Sequence, residues 1–117
     1  MASFNKVIVA GNFTRDPELK TLPSGNSTLR FTLAVNRKGK SKDGKALEET
    51  TYVPVDAFGK IAETIAQYCH KGSPLLVEGR LHMQTWEDRH TGAKKQQLTV
   101  ILEQFQFLGG SKNNIDF

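Results

Sequence analysis

The sequence predicts a mainly β domain with five strands and one helix placed between the third and fourth strands. Three observations support this prediction. Residues 29–36 alternate apolar and polar side chains, residues 60–71 repeat apolar side chains at helical spacing, and residues 75–88 and 95–108 form two long strand patterns. The 117 residues suffice for one domain with a modest core, and no internal repeat or second domain is visible.

Three of the predicted strands lie in the first half of the chain. The first runs from Phe4 to Phe13 and contains a β-branched stretch. The second, Leu29 to Asn36, places its odd-numbered residues on one face and its even-numbered residues on the other. The basic stretch after it contains glycines and predicts a hairpin loop, which leads to a third strand from about Thr50 to Phe58.

The helix and the last two strands complete the domain. The predicted helix runs from Lys60 to Lys71, and Gly72 and Pro74 mark its end. The strand patterns Leu75–Asp88 and Lys95–Leu108 follow, joined by turn-forming residues. We therefore expect one domain over residues 1–110 and a short tail over residues 111–117.

This order of elements matches the OB-fold, a five-stranded, partly open Greek-key barrel that binds oligonucleotides or oligosaccharides in many proteins. The order alone also permits another small α+β fold.

Several classes of protein find no support in the composition. No apolar run is long enough to cross a membrane and no export signal precedes the first strand, so we expect a cytoplasmic protein. Cys69 is the single cysteine and has no internal partner. His82 and His90 lack partners at metal-ligand spacing, and no phosphate-cradling glycine motif occurs. We therefore expect no enzyme, no metal and no cofactor.

Positive charge is concentrated in the predicted hairpin loop. The formal net charge is +4. The loop carries Arg37, Lys38, Lys40, Lys42 and Lys45 against one acid, Asp43. Such a run is by itself equally consistent with a solvated loop and with a nucleic-acid contact.

Aromatic and polar side chains share strand faces. Tyr52 and Phe58 are six residues apart and fall on one face of the third strand, and Arg80, His82, Gln84 and Trp86 share a face opposite Val77, Leu81 and Met83. Taken singly, each aromatic residue is better interpreted as structural: Tyr52 and Phe58 as core residues, and Trp86 as a half-buried cap at the end of the barrel. Together with the basic stretch, they favour a surface on which unpaired bases stack between phosphate contacts.

Motifs along nearly the whole chain resemble those of bacterial single-stranded DNA-binding proteins. The residues that carry the resemblance include Asn5-Lys6-Val7-Ile8, Gly11-Asn12, Asp16-Pro17-Glu18, Phe31-Thr32-Leu33-Ala34-Val35, Phe58-Gly59-Lys60, Val77-Glu78-Gly79-Arg80-Leu81 and Trp86-Glu87-Asp88. The resemblance implies an OB-fold, binding of single-stranded DNA in replication, recombination and repair, association with the nucleoid, and a homotetramer. It also implies base stacking on Tyr52, Phe58 and Trp86. The phosphate and polar contacts that it implies come from Arg30, Arg37, Lys38, Lys40, Lys42, Lys60 and Arg80, with His82 and Gln84 where the family favours cations.

Besides His82 and Gln84, the chain departs from the family pattern at three places. Gly39 stands near the position of a hairpin tryptophan, and Pro54 and Asp56 lie on the expected binding face, where an exposed Asp56 would repel phosphate. In the tail, Ile115, Asp116 and Phe117 resemble a tip that docks replication and repair proteins, with Asp116 in place of proline. Asp56 and the weaker positive charge of the binding face keep open a second hypothesis, a protein-interaction module that uses the exposed aromatics. A third hypothesis, binding of RNA or an oligosaccharide, stays open because the same aromatic and polar surface suits those ligands.

Overall fold

The computed structural model describes residues 1–109, which form six strands and one helix. In chain order the elements are β1 (Val7–Phe13), β2 (Glu18–Thr21), β3 (Ser27–Lys40), β4 (Ala46–Phe58), α1 (Gly59–Tyr68), β5 (Pro74–Glu87) and β6 (Lys94–Phe107). The predicted OB-fold is confirmed, with the helix between the third and fourth long strands. The short strand β2 is an addition that the sequence did not predict.

Five strands close into a barrel in the order β1-β5-β6-β4-β3, and β2 lies outside β3. Closure depends on two short seams. β1 pairs with β3 over residues 12–13 and 33–34, and β4 pairs in parallel with β6 over residues 55–56 and 100–101. The antiparallel pairs β3–β4 and β5–β6 run instead along nearly the full length of their strands.

The core lies inside the barrel and under α1. Strand residues Phe13 and Phe31 stack with ring centroids 4.6 Å apart. The helix adds Ala62 and Ile65, and its C-cap adds Cys69, all buried. Among residues 1–109, every buried side-chain nitrogen or oxygen has a hydrogen-bond partner. No helix in this part of the chain is long and apolar enough to cross a membrane.

The β3–β4 hairpin is longer than the sequence predicted. The expected loop from residue 37 onward is wrong for its first part, because β3 continues to Lys40 and β4 begins at Ala46. The turn covers residues 41–45 and is closed by the amide of Ser41, which donates to the carbonyl of Lys45 at 2.9 Å. Continued backbone pairing therefore turns most of the predicted loop into an exposed ribbon.

The β5–β6 hairpin also extends beyond the barrel. Val77 is buried as expected, but Leu81 and Met83 are 43% and 49% exposed because they lie past the barrel wall. The Asn5 side chain braces this region by donating to the carbonyl of Leu81 at 2.8 Å and accepting from its amide at 2.7 Å. The register shifts between Glu78 and Gly79, where Glu103 of β6 is an extra residue without a partner, so the hairpin carries a β-bulge at this point.

Candidate nucleic-acid interface

The three aromatic residues singled out in the sequence are all exposed. Tyr52 is 64% exposed, Phe58 52% and Trp86 43%. On β4 the odd-numbered neighbours Val55 and Ala57 are fully buried. Alternation along the strand therefore directs Tyr52 and Phe58 away from the core. The structure excludes the interpretation of these three residues as core.

The exposed face of the β3–β4 pair consists of rows of residues directly opposite one another. From one end, these rows are Thr28↔Phe58, Arg30↔Asp56, Thr32↔Pro54 and Ala34↔Tyr52. The strand β2 extends two of the rows, because Lys20 lies opposite Thr28 and Glu18 lies opposite Arg30. Arg30 is thus placed between two carboxylates on one surface.

Arg30 and Asp56 form a bidentate ion pair at the centre of this face. Arg30 Nε donates to Asp56 Oδ1 at 2.7 Å, and Arg30 Nη2 donates to Asp56 Oδ2 at 2.9 Å. Asp56 is 7% exposed, whereas nearly half of the Arg30 side chain is exposed. The hydrogen bonds and the charge of Asp56 raise the pKa of Arg30 against the opposing effect of burial. Asp56 is therefore a buried carboxylate whose negative charge is paired with the positive charge of Arg30.

Gln84 joins β5 to the same surface. Its Oε1 accepts a hydrogen bond from Arg30 Nη2, across two strands that are not neighbours in the barrel. Trp86 lies two residues further along β5, so it projects from the same strand face as Gln84. The hydrogen bond therefore joins the face of β4 that carries Tyr52 and Phe58, through Arg30, to the face of β5 that carries Gln84 and Trp86.

The remaining predicted polar residues surround this surface. Arg80 and His82 are exposed on β5, on the strand face of Gln84, and Lys60 is exposed in the first turn of α1, close in sequence to Phe58. Their positions agree with the prediction of phosphate and polar contacts, which itself stays a prediction.

The hairpin is less basic than its sequence indicated. Arg37, Lys38 and Lys40 lie on β3, and Lys42 lies in the turn, all of them exposed. The strand register places Glu49 opposite Arg37 and Glu48 opposite Lys38. These facing acids lower the local positive charge, and only the register reveals them.

The sequence analysis missed a groove next to Phe58. Its lining includes Arg15, Lys20, Arg30, Asp56, Phe58 and Gln84, and its volume is about 480 Å³. Arg15 and Lys20 were missed because they flank or belong to β2, whose four residues are all exposed and show no apolar pattern.

Metal ligands, the cysteine and the tail are the remaining candidates for functional sites. No group of three or more His, Cys, Asp or Glu side chains that could hold a metal ion occurs within residues 1–109. Cys69 is buried, and this burial raises the pKa of its thiol, which disfavours a reactive thiolate. The proposed docking tip of Ile115, Asp116 and Phe117 lies outside the described residues.

Known proteins share both the sequence pattern and the fold. The model of the single-strand binding protein family matches residues 4–108. A single-stranded DNA-binding protein of Helicobacter hepaticus is 46% identical over 105 residues, which cover 90% of this chain and 61% of the relative. A second one, of Wolinella succinogenes, is 44% identical over 105 residues, covering 90% of this chain and 64% of the relative. This chain thus spans a little over three fifths of the length of these curated relatives.

A solved structure extends the similarity to the fold. An SSB of Plasmodium falciparum in complex with single-stranded DNA superimposes with a TM-score of 0.81 at 25% identity. The match covers 93% of this chain and 98% of the other.

Proposed function

Because this chain belongs to the single-strand binding protein family, we propose that residues 1–110 bind single-stranded DNA and protect it during replication, recombination and repair. The observation that supports this function best is the exposed aromatic surface, in which a hydrogen bond links the strand faces that carry Tyr52, Phe58 and Trp86. Unpaired bases have flat faces that stack on such side chains, and stacking tolerates any sequence. We also propose that the protein is located in the cytoplasm, in association with the nucleoid.

Two groups of residues contribute to the binding free energy, the aromatic residues through base stacking and the cations through phosphate contacts. Each stacked base contributes about 1–3 kcal/mol, so the three aromatic residues supply most of the affinity. The cations Arg37, Lys38, Lys60 and Arg80 are exposed around them and meet the phosphates. Acids facing the hairpin cations make the phosphate contribution smaller than the count of lysines and arginines indicates.

Fluorescence of Trp86 tests the proposal directly, because it is the single tryptophan of the chain. We expect oligothymidine to quench it, duplex DNA to compete weakly, and binding to weaken as salt rises. The slope of log affinity against log salt should be about −0.7 per neutralised phosphate. Absence of quenching with no measurable affinity would refute single-strand binding and indicate a protein interface.

Alanine variants locate the binding surface. Tyr52→Ala and Phe58→Ala should each weaken oligothymidine binding by about 5- to 150-fold, which corresponds to one lost stacking contact. Tyr68→Ala is the matched control, since Tyr68 is 60% exposed but lies on α1. Equal losses in all three variants would show that the effect is not local to the proposed surface.

We further propose that the chain forms a homotetramer. Apolar side chains other than the three aromatic residues also remain exposed, among them Ile8, Leu81, Met83 and Leu98, and Met83 lies opposite Leu98 in the β5–β6 hairpin. Burying such side chains between copies is favourable. Light scattering after gel filtration should give four times the chain mass, and Leu98→Glu should lower it. A monomer in the parent protein would exclude this assembly.

Docking of replication or repair proteins through residues 115–117 is a separate proposal. Its test is the capture of such proteins by the full chain and by a chain that lacks these three residues. Equal capture would refute it.

A further inference from the structure

The groove beside Phe58 has the size of a small-ligand site. Its volume of about 480 Å³ falls within the range of about 300–1,000 Å³ typical of such sites. β2, β3 and β4 supply most of its lining, and Gln84 contributes from β5. Phe58 also lines it, so an aromatic side chain and a polar group meet in one concavity.

Two hydrogen-bond donors remain available in this groove, one on Arg30 and one on Gln84, whose side chains are hydrogen-bonded to each other. Arg30 uses Nε and Nη2 to bind Asp56, and Nη2 also donates to Gln84. Because a guanidinium group only donates, Gln84 presents its oxygen to Arg30 and its Nε2 group is left to donate elsewhere. Neither Arg30 Nη1 nor Gln84 Nε2 makes a hydrogen bond within residues 1–109.

The net charge of the groove argues against a phosphate as its ligand. Its charged lining residues are Arg15, Lys20 and Arg30 together with Asp16, Glu18 and Asp56. Three cations and three carboxylates give a formal charge of zero. A phosphate placed there would meet as many negative as positive groups. A neutral ligand with hydrogen-bond acceptors suits this lining better.

On the major-groove edge of the DNA bases, guanine has two neighbouring acceptors, O6 and N7, whereas adenine and thymine place a donor or a methyl group beside their acceptor and cytosine has only a donor. We propose that the groove binds one guanine of the single strand, with Arg30 Nη1 and Gln84 Nε2 donating to O6 and N7 and Phe58 contacting the ring. This inference rests on the proposed single-strand function and adds to it a base preference at one position.

The test compares two oligomers of equal length, an oligothymidine and the same strand with one central guanosine. The guanosine strand should bind about five- to tenfold more tightly, as one pair of base-edge hydrogen bonds allows. Replacing guanine by 7-deazaguanine removes N7 and should abolish the gain. Hypoxanthine keeps O6 and N7 and should retain it.

Variants test whether Arg30 and Gln84 cause the preference for guanine. The quantity compared is the ratio of the affinity for the guanosine strand to the affinity for oligothymidine. Arg30→Lys, which keeps a cation beside Asp56, and Gln84→Ala should both bring the ratio to about one. Thr85→Ala is the control, since Thr85 is exposed on the opposite face of β5, and it should keep the ratio. Folding of each variant is checked by circular dichroism.

Three outcomes would overturn the inference. A ratio of one in the parent protein, with tight oligothymidine binding, removes the guanine site and leaves the proposed function intact. A gain that survives 7-deazaguanine removes the assigned contact to N7. Failure to bind either strand overturns both proposals.

Discussion

Replacing Gly79 by alanine tests the close approach of β5 and β6 at the bulge. A Cβ atom added at Gly79 would lie 2.0 Å from the carbonyl oxygen of Ile101 and 3.0 Å from its carbon. It would also lie 3.2 Å from Cγ1 of Val100. The nearest two atoms belong to the backbone, so no side-chain rotation relieves the clash.

The cost follows from the movement that this clash demands. Real Cβ contacts are essentially never shorter than 3.0 Å, so the two strands must separate by about 1 Å at this point. A ladder hydrogen bond stretched by that amount exceeds about 3.2 Å and is lost, which removes about 0.5–1.5 kcal/mol. Overpacking adds about 1–3 kcal/mol. We expect Gly79→Ala to lower the free energy of unfolding by about 1.5–4.5 kcal/mol.

Urea unfolding, followed by circular dichroism at equal protein concentration, measures this loss. Gly39→Ala is the matched control, because a Cβ atom there meets nothing within 4 Å. The control should change stability by less than about 1 kcal/mol. If Gly79→Ala and Gly39→Ala behaved alike, the close approach of the strands at the bulge would be refuted.

Three further predictions address charge and reactivity. Arg30→Ala leaves the buried Asp56 carboxylate unpaired and should lower the free energy of unfolding by about 2–3 kcal/mol, a loss that already allows for the partial exposure of Arg30. Asp56→Asn should lower it by about 1 kcal/mol or less. Equal losses in urea unfolding would contradict this asymmetry. Burial raises the pKa of the Cys69 thiol, so at neutral pH this thiol should react with a disulfide reagent at least about tenfold more slowly in the native than in the unfolded protein. The reaction should become faster as pH rises. Rapid labelling of the native protein would show that the thiol is accessible to solvent. Glu49→Gln removes the acid opposite Arg37 and should tighten oligothymidine binding with a salt slope steeper by up to about 0.7; no change would place the hairpin outside the DNA path.

Local sequence patterns were enough to predict the long strands and the exposed aromatic face. Alternation on β4 fixes which residues share a face, and the burial of Val55 and Ala57 then exposes Tyr52 and Phe58. The helix was also predicted, although it ends at Tyr68 rather than Lys71. These features depend on neighbours within one element, which a single sequence displays.

Features that depend on pairing between distant residues were not predicted. β2 has no apolar pattern, and its structure comes from backbone hydrogen bonds to β3. The Arg30–Asp56 pair joins residues 26 positions apart and requires the register of two strands. A sequence alone shows an acid on a binding face, but not the cation that neutralises it.

The two short seams divide the barrel into two leaves. One leaf contains β1, β5 and β6, the other contains β2, β3 and β4, and each is held together by antiparallel ladders that are longer than the seams. Partial opening of a protein follows its weakest connections, so amide hydrogens near Val55 and Val100 should exchange with solvent through separation of the leaves. Tyr52 and Phe58 belong to one leaf and Trp86 to the other. A strand of DNA stacked on all three residues would therefore link the two leaves and oppose their separation. Amide hydrogen exchange at the seam would slow when the strand binds.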